Sequence, residues 1–78
     1  MKKSVRRLQK LTVEDIKQQI AVIKQQIANN DYELAHVLED ALHQRVLHSI
    51  ANDKADNSKA CAKMALSTRR LKFNRLCS

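Results

Sequence analysis

Glycine and proline are both absent from the 78 residues, tryptophan is missing, and tyrosine and phenylalanine occur once each. Hairpins and tight turns draw on the positive φ that glycine tolerates or the fixed φ that proline supplies, so neither device is to hand. Few aromatics also disfavour strands, whereas the abundant Ala, Leu, Lys, Gln and Arg are good helix formers; an all-α fold is the reading that remains. No window approaches the eighteen apolar residues of a membrane span, and no apolar run follows the Met-Lys-Lys start as it would in a signal peptide. Two isolated cysteines, Cys61 and Cys77, do not make a disulfide framework. A cytoplasmic protein with reduced thiols is expected.

Acid is missing from both ends. Residues 1–10 carry five cations and residues 59–78 carry six, while all eight acids sit between them with only Lys17, Lys24, Arg45 and Lys54, giving a net +7. Basic ends around an acidic middle either steer the chain to an acidic partner or fold back on that middle.

The apolar spacing divides the chain into a basic arm over residues 1–11 and one helical domain over 12–78, with helices expected at about 12–28, 31–51 and 57–68. Thr12 and Asp15 make an imperfect capping box, after which Val13, Ile16, Ile20, Ile23 and Ile27 form a narrow stripe that needs one neighbour. Asn29, Asn30 and Asp31 end that helix without glycine, and so short a connection folds the next helix back as an antiparallel hairpin. On the central helix, Leu34, Ala35, Leu38, Ala41 and Leu42 fall on one side for the isoleucines, while Tyr32, His36, His43, Leu47 and Ile50 fall on another. The second stripe must meet either the third helix or another molecule. A polar segment over 52–58 leads to that third helix, whose Cys61, Met64, Ala65 and Thr68 share a face and whose small residues allow close packing. A tail alternating cation and hydrophobe follows, with Leu71, Phe73 and Leu76 available as anchors.

Catalytic signatures are absent. His36, Asp40 and His43 project from adjacent helical turns and could join Cys61 or Cys77 around Zn²⁺, but the histidines stand seven apart rather than four and no paired-cysteine motif accompanies them. The simpler reading bonds His36 and His43 to Asp40, Glu39 or a backbone group, with no metal and no cofactor. Cys61 lies on a packing face and Cys77 lies one residue from the end of the sequence, so neither suits a nucleophile. The signal that remains is cationic: Lys59, Lys63, Arg69, Arg70, Lys72 and Arg75, without an acid among them, are the expected partner-binding residues.

Asp31-Tyr32-Glu33, Ala35-His36, Glu39-Asp40-Ala41-Leu42, Val46-Leu47 and Ile50-Ala51, with Ala65-Leu66-Ser67-Thr68 and Phe73-Asn74-Arg75-Leu76-Cys77, resemble a pattern in small uncharacterised helical proteins carried by phages and prophages of Gram-negative bacteria. The resemblance covers roughly residues 31–77 and departs from the pattern at Leu76, where an aromatic usually precedes the cysteine. It implies a mobile-element origin and residence in a bacterial host's cytoplasm, and carries no activity across. Three functions stay open: a non-enzymatic adaptor or inhibitor that binds an acidic host protein or a nucleic-acid-binding complex, with anti-defence as one role; direct nucleic-acid binding by the third helix and termini; and homodimeric assembly through Tyr32, His36, His43 and Leu47.

Overall fold

The computed structural model describes residues 10–75. Three helices occur among them: α1 (Val13–Ala28), α2 (Tyr32–Ala51) and α3 (Ser58–Leu66), the last tightening into a 3₁₀ turn at Ser67–Arg70. The two long helices pack together as an antiparallel hairpin and the short third one lies against both. The fold is all-α; among the described residues the one extended contact is an isolated bridge between Leu11 and Ala55.

Each helix start has a local cause. Thr12 accepts from the Asp15 amide at 3.2 Å while Asp15 Oδ2 accepts from the Thr12 amide at 3.0 Å, so the capping box is complete and aspartate serves where glutamate is usual. Asp31 caps α2 through the Leu34 amide, and Asn57 caps α3 through the Ala60 amide. Turning without glycine places three residues at positive φ, Asn30 (62°), Asp53 (57°) and Asn57 (60°). Short polar side chains bear that conformation at the least cost among residues with a Cβ.

Ile16, Ile20 and Ile23 are buried as the stripe requires, with Val13 and Ile27 at its ends. The two faces expected of α2, however, are one. Ala35, Glu39, Leu42 and Val46 are its buried residues, flanked by half-buried Leu38, His43 and Ile50, while Leu34 is 39% exposed and Ala41 faces outward. At about 100° per residue, Glu39 and Val46 fall between the two expected stripes, and the whole makes a continuous arc of roughly 140°. Both α1 and α3 close over that arc. The core joins Ile16 and Ile23 to Leu42, Val46, Cys61 and Ala65.

Leu11, which the sequence assigned to the basic arm, is a core residue, only 6% exposed. Its amide donates to the Lys54 carbonyl at 2.8 Å and its carbonyl accepts from the Asp56 amide at 2.7 Å, tying the chain ahead of α1 to the α2–α3 loop. Residues 1–9 of that arm, and the expected anchor Leu76 with Cys77, lie outside the described residues. No helix among the described residues is long and apolar enough to cross a membrane.

Candidate partner-binding face

Cys61 and Ala65 point α3 into the core, which turns Lys59 and Lys63, four residues apart and on the opposite side, to solvent. The helix then narrows because Thr68 is fully buried: its hydroxyl donates to the Ala65 carbonyl at 3.0 Å, drawing the last turn tight and leaving Arg69 and Arg70 exposed on the outside. Leu71 is extended (φ −69°, ψ 134°) and half-buried, and Lys72 beyond it is exposed. The structure thus brings Lys59, Lys63, Arg69, Arg70 and Lys72 to the surface of one segment. None of these five joins an ion pair among the described residues.

Arg75 behaves differently. Its Nε donates to Glu39 Oε1 at 2.8 Å and its Nη2 to Glu39 Oε2 at 3.1 Å, and the same Nη2 reaches the Thr68 and Leu71 carbonyls at 3.1 and 3.2 Å. The guanidinium also lies 3.9 Å above the centre of the Phe73 ring, which stands 6.4 Å from the ring of Tyr32. Burial works to raise the Glu39 pKa, but the Arg75 hydrogen bonds and charge, with help from Thr68 and His43, outweigh it and hold the carboxyl below its ordinary value. Of the six cations from Lys59 to Arg75, one therefore folds back on the acidic middle while five do not.

The four expected interface residues of α2 separate. His43 turns inward, its Nε2 lying 3.0 Å from the Ala65 carbonyl and 2.9 Å from Thr68 Oγ1; a carbonyl can only accept, so Nε2 carries the proton. His36 Nε2 is 3.3 Å from Asp40 Oδ2, leaving a buried Nδ1 with no hydrogen-bond partner among the described residues. Tyr32 donates to Asn30 Oδ1 at 2.9 Å and keeps part of its ring exposed. Leu47 alone is broadly exposed, at 66%, beside Leu66 of α3 at 62%; the two border an open apolar hollow of about 200 Å³ formed with His43, Val46, Ala62 and Ala65.

The His43–Thr68 contact has the spacing of a base and a nucleophile, yet no substrate reaches a fully buried hydroxyl, and a protonated Nε2 cannot take its proton. Cys61 is likewise enclosed, its Sγ directed at the Asp56 carbonyl (3.3 Å) and the Leu11 carbonyl (3.7 Å), and burial together with the charges of Asp56 and Asp15 raises its pKa. Among the described residues no group of three His, Cys, Asp or Glu side chains is placed to hold a metal ion.

Sequence reasoning missed a second basic element. Lys17, Ala21 and Lys24 form one exposed flank of α1 and face Met64, Ser67, Arg70 and Leu71 across an open groove of about 460 Å³, with Ile20 in its floor. The signal was present as Lys-x₃-Ala-x₂-Lys spacing, beside the isoleucine stripe rather than opposite it. Comparison with protein-family models, curated proteins and solved structures finds no match.

Proposed function

We propose that this chain is a non-enzymatic binding protein that docks an acidic host macromolecule on the basic surface of α3, the 3₁₀ turn and the tail. The observation that carries the reading is the contrast within one segment. Arg75 is neutralised by Glu39, whereas Lys59, Lys63, Arg69, Arg70 and Lys72 stay exposed and unpaired among the described residues although eight acids are available in the chain. Cations left facing solvent on a small domain raise the encounter rate with an acidic surface. A phage or prophage accessory role, as adaptor or inhibitor, is proposed on the resemblance of residues 31–77 alone.

Direct nucleic-acid binding is the second reading, since the same five cations would displace counterions from phosphate. The placement of the aromatics favours a protein partner: one face of Phe73 is covered by the Arg75 guanidinium, and Tyr32, 6.4 Å from it, keeps only part of its ring exposed, so stacking platforms for bases are few. The test pairs capture from bacterial lysate with a salt titration on duplex and single-stranded DNA. Reversing Lys59, Lys63, Arg69 and Lys72 to Glu should abolish capture, and capture that survives would refute this placement. DNA affinity that falls steeply with salt would establish the second reading instead.

A further inference from the structure

We infer that the groove between α1 and the α3–3₁₀ segment receives an acidic amphipathic helix of a partner protein. The inference rests on the binding reading above and adds to that basic face, through the shared Arg70, a neighbouring groove and the chemistry of its occupant. Three cations and no acid line the groove: Lys17 and Lys24 on the α1 side, Arg70 on the other. Between them lie the apolar groups of Ile20, Ala21, Met64 and Leu71. Lys17 is also 3.6 Å from Glu14, but both side chains are exposed and such pairs yield readily to a better-placed carboxylate.

Shape and length agree with a helix. Lys17 and Lys24 are seven residues apart, about 10 Å along the axis, the span of two turns of a docked helix. Ala21 leaves space between the two lysines where a partner's apolar side chain can descend to Ile20 and Met64. An occupant with apolar residues at i, i+4 and i+7 and glutamates on both flanks would satisfy the floor and both walls at once. Nucleic acid would meet the walls but leave the apolar floor unused. Residues 1–9 of the chain itself carry four cations and no acid, so like charge disfavours them as the occupant. A second copy is the competing occupant, because Glu33, Val37 and Asp40 are exposed on α2.

The test titrates the full-length protein into a fluorescent, end-capped 14-residue helical peptide with leucines at i, i+4, i+7 and i+11 and glutamates on their flanks, against a scrambled peptide of the same composition. Saturable binding of the patterned peptide alone, weakened at least tenfold by K17E/K24E and by the groove-filling A21F, and unaltered by K59E/K63E, is the expected result. Circular dichroism of each variant keeps unfolding apart from loss of binding. Equal binding of the scrambled peptide, no saturation, or indifference to K17E/K24E overturns the inference. So does displacement of the peptide by duplex DNA without apolar competition, or self-association in sedimentation that K24E abolishes. If lysate capture depends on Lys59, Lys63, Arg69 and Lys72 while the peptide fails to bind, the groove falls and the proposed function stands. If the peptide binds the groove while those reversals leave capture intact, the basic face falls and the groove stands.

Discussion

Arg75 grips both oxygens of Glu39 with two hydrogen bonds, 2.8 and 3.1 Å long, across 36 residues of sequence. The carboxylate is fully buried on α2 and the guanidinium side chain is 22% exposed, so the tail acts as the counter-ion that α2 lacks in its own neighbourhood. By accepting from the same guanidinium, the Thr68 and Leu71 carbonyls at the end of the 3₁₀ turn are satisfied too.

Removing one partner of this pair should cost far more than removing both. Arg75→Ala strands a buried carboxylate and takes a donor from the Leu71 carbonyl, while the Thr68 carbonyl keeps the Leu71 amide at 3.0 Å, and about 3 kcal/mol of stability should be lost. The double variant E39M/R75M, which replaces both charges with apolar groups, should recover most of that. Urea denaturation of the three proteins measures the difference, and a double variant no more stable than Arg75→Ala would show that the pair contributes by shape rather than charge.

The same pair predicts acid sensitivity of a definite sign. Glu39 titrates near 4.5 in the unfolded chain and lower in the folded one, so the unfolded state takes up the proton first as pH falls. Its stabilising contribution is complete above the unfolded value and is lost progressively from about pH 5 down through the depressed folded pKa. Thermal melts between pH 7 and pH 3 should fall more steeply for the native chain than for Glu39→Gln, and parallel curves would assign the acid sensitivity to other groups.

How far the sequence carried the fold follows from what it expressed locally. Caps, turns and the isoleucine stripe are interactions over three or four residues, and Thr12, Asp31 and Ile16–Ile20–Ile23 were legible because their partners are close in the chain. The α2 face was misdivided because a glutamate sits at its centre. Glu39 belongs to the buried arc only because Arg75, far along the chain, neutralises it, and no hydropathy pattern contains that fact. The bridge from Leu11 to Lys54, Ala55 and Asp56 was hidden in the same way, since its partners lie more than forty residues along the chain. Of the six cations chosen as a site, five are exposed and the sixth is the structural one; spacing alone cannot separate them.

Thr68 should prove as sensitive as a core hydrophobe. Its hydroxyl donates to the Ala65 carbonyl and accepts from His43 Nε2, in a position with no access to water. Thr68→Val keeps the shape and removes both bonds, so about 1–3 kcal/mol should be lost, with Thr68→Ser restoring part of it through the retained hydroxyl. A valine variant as stable in urea as the native chain would mean that the methyl group, not the hydroxyl, holds the turn.

Cys61 reports whether the core opens as one unit. Its thiol is fully buried between α3 and the Leu11–Ala55 bridge, and burial, reinforced by Asp56 and Asp15, raises its pKa and suppresses the thiolate that reacts with disulfide reagents. In a Cys77→Ser background, which leaves this single thiol, the folded protein should therefore label slowly at pH 8, and the rate should rise to that of a free thiol in urea. Leu11→Ala supplies the discriminating case. It removes a side chain from the bridge while leaving the backbone bonds to Lys54 and Asp56, so its effect on labelling must come through packing. If labelling accelerates in proportion to the loss of global stability, the bridge and the three helices open together. Acceleration well beyond that loss would identify the bridge as a local gate over Cys61, opening while α1 and α2 remain paired.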